Sequence, residues 1–144
     1  ELGIDRIIPW QAERSVPRWD HKKAERARAR WQRITLEASK QSIRATVPTV
    51  SPLVNSSEIL ELGLSGQLLL LDPNGRKTLN DISPISESEK IILIVGPEGG
   101  LTEHEKKVFM RLGAQDVRLG KRILRTSTAG AAALAVINFQ LGRF

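Results

Sequence analysis

Residues 91–105 read IILIVGPEGGLTEHE. Ile91 to Val95 form a continuous apolar run, the pattern of a strand covered on both faces, as in parallel sheets. Gly96 to Gly100 then make a loop of three glycines, a proline and a glutamate. Thr102, with Glu105 three residues later, has the spacing of a capping box at a helix start. The segment is strand, glycine loop, helix, and it sets the fold class as α/β. Glycine loops at such a junction commonly cradle phosphate on a helix N-terminus. Glu98 opposes that use, because its carboxylate would repel a phosphate. No Gly-Lys-Ser/Thr follows, and the Gly-x-Gly-x-x-Gly fingerprint is absent. The loop suits a phosphate-free ligand with a positive centre. Taken alone, a tight structural turn explains it equally well.

The alternation extends in both directions. DRIIPW (residues 5–10) reads as a short strand stopped near Pro9. Asp20 is placed to N-cap a long helix over residues 21–44. Its apolar positions, Ala24, Ala27, Trp31, Ile34 and Ala38, form one stripe, with Arg26, Arg30, Arg33, Lys40 and Arg44 opposite. TVPTVS (46–51) reads as a strand, and NSSEILELG (55–63) as a short capped helix ending at Gly63. QLLLL (67–71) is a second buried strand, closed by an LDPNG turn. The helix opened by Thr102 turns Val108, Phe109 and Leu112 inward and stops at Gly113. DVRLG (116–120) is a brief strand, and STAGAAALAVINFQLG (127–142) a helix rich in small residues. The expected architecture is one domain, residues 1–144, with a mainly parallel sheet and helices on both faces.

Composition narrows the function. The chain has 144 residues and 40% apolar content, enough for one core and too much for disorder. It has no cysteine, which removes disulfides, thiolate catalysis and cysteine metal sites. His21 and His104 are the only histidines, so no metal centre is expected. No secretory signal is present, and AAALAVI is too short to span a bilayer, so a soluble cytoplasmic protein without membrane partners is expected. The sequence begins at Glu1 and opens as if in mid-element, which reads as a fragment of a longer protein. The net charge of +6 is uneven: residues 1–50 hold 11 Lys/Arg against 6 Asp/Glu, residues 51–144 hold 11 against 10. A basic N-terminal third points to a polyanion, with nucleic acid foremost, or to a solubilising surface.

Ligands of parallel sheets bind beyond the carboxyl ends of the strands. GPEGG lies there, and so does LGKRILRTSTAG (119–130). The second loop carries Gly120, then Lys121, Arg122 and Arg125, and Thr126 or Ser127 to cap the last helix. A nucleoside with no phosphate and a cationic centre describes S-adenosylmethionine, whose adenine edge backbone N–H and C=O groups could read. Thr102 and Glu105 have a structural task as a cap, and His104 is expected to be exposed.

VGPEGGLTEHE followed by LGKRILRTSTA resembles the ribosomal RNA small subunit methyltransferase E family, of the SPOUT class of knotted methyltransferases. ELGIDRIIPWQAERSVPRW and RWQRITLEASKQSIRATVP resemble the family's N-terminal pattern, so the likeness covers nearly the whole chain. It implies a C-terminal deep trefoil knot, a homodimer, and methylation of uridine N3 in small-subunit (16S) ribosomal RNA with S-adenosyl-L-methionine. It also implies that a first strand and an N-terminal β-barrel RNA-binding domain precede this segment. The cofactor residues it implies are Leu71, Ile94, Val95, Gly96, Pro97, Glu98, Gly99, Gly100, Leu119, Gly120, Arg122, Ile123, Leu124, Arg125, Thr126, Thr128 and Ala129. Ser127 stands where the family often has glutamate, which puts any role of that glutamate in doubt. The RNA candidates are Arg14, Arg18, Arg30, Arg33, Gln41 and Arg44.

The chemistry needs alignment of the methyl donor, loss of the N3 proton and stabilisation of charge on the ring oxygens. Arg125 is the first choice for the electrostatic role, with Arg14 and Arg44 next. Glu37 is a candidate proton acceptor, with an ion pair to Arg33 as its plain structural alternative. The rival expectation is a non-catalytic RNA-binding domain using the Arg14–Arg44 surface.

Overall fold

The computed structural model describes residues 1–82 and 90–143. Strands β1 (Arg6–Ile7) and β2 (Trp10–Gln11) precede helix α1 (His21–Gln41). Strands β3 (Thr49–Val50) and β4 (Val54–Asn55), a 3-10 helix (Glu58–Leu62), β5 (Gln67–Leu71), β6 (Lys77–Thr78) and a second 3-10 helix (Leu79–Asp81) follow. The chain ends with β7 (Ile91–Val95), α2 (Glu103–Arg111), β8 (Gln115–Arg118) and α3 (Thr126–Gln140).

Four strands form one all-parallel sheet in the order β6-β8-β5-β7. Strand alternation splits its core in two. Leu69, Leu71 and Val117 face α3, meeting Ala133 and Ile137 with Leu79 and Ile82. Leu68, Leu70 and Ile94 face the other way, onto Phe109 of α2, Ile59 and Ala114. Helices therefore cover both faces, which is why QLLLL and IILIV are apolar without a break.

β1 pairs with β3 and β2 with β4, both parallel. Arg6 opposes Thr49 and Trp10 opposes Val54, so the second segment carries one extra residue, a bulge around Ser51–Leu53. Pro9 and Pro52 interrupt the ladder there because neither has an N–H to donate.

Several local expectations need correction. The expected short helix does end at Gly63, at φ 58°, but it is a 3-10 helix, Glu58–Leu62, preceded by a turn in which Asn55 Oδ1 accepts from the Ser57 and Glu58 N–H groups. α1 stops at Gln41, three residues before the expected end. Ile43 takes a left-handed φ of 54°, and the Arg44 N–H returns to the Ser39 carbonyl. On α1 the buried positions are Thr35 and Ser39; Ile34 is 54% exposed. Ala24, Ala27, Trp31 and Ala38 of the predicted stripe lie on the partly buried side, and Arg28 joins it by donating from Nε to the Val50 carbonyl at 3.0 Å. Strand β6 was not anticipated, since two residues give no periodic signal.

Candidate active site

The carboxyl ends of the three longest sheet strands lie side by side, with Leu71 opposite both Val95 and Val117. The GPEGG loop leaves β7 on one side of β5, and the LGKRILRT loop leaves β8 on the other. Thr126 joins them. Its hydroxyl donates to the Gly96 carbonyl at 3.3 Å. That use corrects the expected helix cap: Arg125 is the N-cap residue of α3, and no side chain caps it. Gly130, one turn on, lies where α3 packs on β7; a Cβ there would meet Val95 Cγ2 at 3.5 Å, an ordinary contact that alanine would also make.

The predicted cofactor residues divide into a floor and a rim. Leu71 and Ile94 are buried, while Val95, Gly96, Pro97, Leu119, Thr126 and Ala129 are partly so. Glu98, Gly99, Gly100, Gly120, Arg122, Ile123, Leu124, Arg125 and Thr128 are exposed. A Cβ on Gly100 or Gly120 would meet nothing within 4 Å, so both loops border open space. Gly100 also has φ +72°, a conformation that disfavours side chains. Gly99 is different: a Cβ would lie 2.9 Å from the Arg14 carbonyl oxygen and 3.0 Å from Arg14 Cβ. Its missing side chain makes room for the N-terminal segment.

Arg14 lies over this loop, its Nη1 donating to the Gly99 carbonyl at 3.4 Å. The segment carrying it is tied down on itself. Gln11 Nε2 donates to the Pro17 carbonyl, Gln11 Oε1 accepts from the Trp19 N–H, and Arg18 donates to the Glu13 carbonyl. A buried carboxylate holds it from below. Glu105 is fully buried and accepts four hydrogen bonds. Oε2 takes the Thr102 N–H at 2.9 Å and the Thr102 hydroxyl at 3.2 Å, and the Glu105 N–H returns to Thr102 Oγ1. That is the predicted capping box. Oε1 takes the Glu13 N–H at 2.7 Å and the Ser56 hydroxyl at 3.0 Å. Trp10 Nε1 donates to Ser56 in turn, and its ring meets Phe109 edge-on at 5.0 Å. Burial would raise the Glu105 pKa, but the bonds from Thr102, Glu13 and Ser56 outweigh it and hold the carboxyl below its ordinary value.

At the LDPNG turn Asp72 accepts the Asn74 N–H and pairs with Lys106 of α2 at 2.7 Å. Burial opposes the charge on Asp72, yet the Lys106 hydrogen bond, the Asn74 N–H and the Lys106 charge together lower its pKa. The Asp72 hydrogen bond raises that of Lys106 against burial, helped by the charges of Asp72, Glu103 and Asp116.

The remaining candidates lie on or near α1. Arg30, Arg33 and Gln41 are exposed on it. Glu37 pairs with Lys40 at 2.9 Å, not with Arg33. The Arg44 guanidinium is turned inward, donating to the Ile4 carbonyl at 2.6 Å and to Asp5 at 3.0 Å. Asn138 of α3 completes that anchor by donating to the Leu2 carbonyl at 2.9 Å. Among the described residues no group of three or more His, Cys, Asp or Glu could hold a metal, and no helix is long and apolar enough to cross a membrane.

A parallel α/β sheet with two convergent loops at its carboxyl edge defines the class, and residues 1–138 match the RNA methyltransferase domain family, to which the chain belongs. Within that class its relatives are the ribosomal RNA small subunit methyltransferases E. That of Bacillus subtilis is 35% identical over 97% of this chain, and that of Mycobacterium bovis 32% identical over all of it. These matches span 57% and 56% of the relatives' own lengths. The crystal structure of the Neisseria gonorrhoeae ribosomal RNA small subunit methyltransferase E bound to S-adenosyl methionine superposes with a TM-score of 0.86 at 42% identity. That match covers 95% of this chain and 56% of the other. A Legionella pneumophila structure in complex with the cofactor SAM has a TM-score of 0.88 at 30% identity, covering 96% of this chain and 56% of that one. The likeness to the methyltransferase E family read from the two loops is borne out.

Proposed function

We propose that this chain binds S-adenosyl-L-methionine between the GPEGG and LGKRILRT loops and methylates N3 of a uridine in small-subunit ribosomal RNA. The observation that carries the reading is the Thr126–Gly96 bond, which joins two loops remote in sequence over the apolar floor of Leu71 and Val95. The residues fit that cofactor. The floor is apolar, Gly100 borders open space, and Glu98 on the rim suits a cation better than a phosphate. When bound, the cofactor supplies an already activated methyl group on a sulfonium. The chain's own task is alignment and electrostatics. The GPEGG backbone and Thr126 orient the ligand, while Arg125 sits at the head of α3 to stabilise negative charge on the uracil oxygens as the N3 proton leaves. Glu37, which pairs with Lys40, remains the proposed proton acceptor.

Two further elements belong to this reading. β8 inserts between β5 and β6, and the chain then crosses back so that α3 lies against β7. This path supports a trefoil knot closed by the last loop. Val136 and Phe139 of α3, the latter 76% exposed, are apolar positions suited to a second copy of the chain. Exposed Arg14, Arg18, Arg30 and Arg33 are the proposed RNA contacts.

Titration with S-adenosylhomocysteine by calorimetry tests the cofactor site, and methyl transfer to small-subunit ribosomal RNA tests the reaction. Arg125→Ala is expected to lower transfer far more than cofactor affinity; equal losses would make Arg125 a binding residue. RNA binding with no stabilisation by S-adenosylhomocysteine would favour a non-catalytic RNA-binding domain.

A further inference from the structure

The Glu105 carboxylate divides its two oxygens between two functional segments. Oε2 is spent on Thr102, at the end of the cofactor loop. Oε1 is spent on Glu13 and Ser56, on the side of the N-terminal segment. Glu13 immediately precedes Arg14, whose backbone packs on Gly99 and whose guanidinium reaches the Gly99 carbonyl. A capping box needs only Oε2 and the Thr102 side chain. The Oε1 bonds reach 92 and 49 residues away, and capping does not require them.

We propose that Glu105 is a positioning residue for Arg14: by holding the Glu13 N–H it fixes the Arg14 guanidinium against the cofactor loop, in register for the RNA. The inference rests on the functional reading above. Its chemistry is specific to a carboxylate. Four donors converge on Glu105, and only a group with acceptors on both oxygens satisfies them. In Glu105→Gln the amide NH₂ must face two of those donors whichever way it turns. The freed partner is then the Glu13 N–H or Thr102, and the seating of Arg14 loosens in the first case.

The test is a double-mutant cycle in the full chain, read by methyl transfer to small-subunit ribosomal RNA at a temperature well below unfolding. Glu105→Gln and Arg14→Ala are each expected to lower kcat/KM for RNA by about tenfold or more, and the double variant no further than the worse single one. Affinity for S-adenosylhomocysteine should stay within about threefold of the parent throughout. Multiplying losses, or a cofactor defect as large as the RNA defect, would overturn the proposal, because a merely structural role gives no coupling to Arg14. Should Glu105→Gln not fold, Ser56→Ala removes a single donor. Its loss of about threefold should vanish in the Arg14→Ala background, and persistence there overturns the proposal. A parent that binds no S-adenosylhomocysteine and methylates no RNA sinks the functional reading, and this one with it. An active parent with multiplying losses sinks this one alone.

Discussion

The glycines of the two loops can be separated by alanine substitution, because the structure constrains Gly99, Gly100 and Gly120 differently. At Gly99 an added Cβ would lie 2.9 Å from the Arg14 carbonyl oxygen and 3.0 Å from Arg14 Cβ. Ordinary contact begins near 3.4 Å, so the segments must part by about half an ångström. The Arg14 side cannot simply retreat, since the neighbouring Glu13 N–H is held at 2.7 Å by Glu105. Overpacking of this kind costs roughly 1–3 kcal/mol. For a chain of this size that is a fall in Tm of about 4–12 °C. Displacing the loop should also weaken S-adenosylhomocysteine by about tenfold, near 1.4 kcal/mol. Gly100→Ala meets no atom but must adopt φ +72°, which costs about 1 kcal/mol from the backbone alone. Gly120→Ala has neither obstacle, so its Tm should stay within about 2 °C. Thermal unfolding with and without S-adenosylhomocysteine measures all three. Gly99→Ala with parental Tm and parental affinity would refute the packing argument. Gly120→Ala with parental Tm but lost affinity would place the ligand in the open space beside Gly120.

The Asp72–Lys106 pair sets a pH dependence. Asp72 has a lowered folded pKa, so its contribution is present above about pH 4 and is lost as pH falls through the folded value. Lys106 has a raised one, so its share is present below about pH 10 and is lost as pH rises beyond it. Asp72→Asn should flatten the acid limb of a stability–pH curve and cost roughly 2 kcal/mol at pH 7; an unchanged acid limb would contradict this. Ile43→Gly should stabilise the chain by about 1 kcal/mol, because a β-branched residue is strained at φ 54° and Ile43 is 91% exposed; denaturant unfolding with a lower midpoint would contradict it. Arg44→Ala should release the N-terminal segment, speeding amide exchange in residues 2–7 while the central sheet stays protected; uniform protection would deny Arg44 that role.

Where sequence was informative, the signal was local. QLLLL and IILIV are continuous because both faces of β5 and β7 are covered, and period and length alone reveal that. Asp20 and Thr102 were legible as caps because a cap acts within three residues: Asp20 Oδ1 accepts the Lys23 N–H at 2.8 Å. The failures were equally physical. The stripe on α1 was placed by hydrophobicity, and Ala24, Ala27, Trp31 and Ala38 do lie on the partly buried side, but Ile34 is exposed and the most buried positions are Thr35 and Ser39, with Arg28 and Thr35 bonded to backbone carbonyls. A helix packed on a two-residue strand pair has little apolar surface to meet, so polarity is a poor guide to which positions are most buried. Thr126 failed for a related reason. Its residue type is that of a cap, but it is the first residue of α3, after the N-cap Arg125, and its hydroxyl is used between loops; no local rule weighs a partner 30 residues away.

Glu105 shows how a correct local reading can be half of the account. The capping box follows from sequence and uses Oε2 alone. Nothing within a helical turn indicates that Oε1 meets the Glu13 N–H, 92 residues distant. Burial supplies the missing constraint. A fully buried carboxylate needs acceptor bonds on both oxygens, or its desolvation would leave the charge unpaired. The cap satisfies one oxygen, so a fully buried cap glutamate implies further donors from another part of the chain. Here those donors are the Glu13 N–H, in the segment bearing Arg14, and the Ser56 hydroxyl, and Gly99 is glycine because that segment must lie flush against the GPEGG loop. The cap, the glycine and the arginine are one arrangement, in which the same buried charge that starts α2 also holds the Arg14 segment in place.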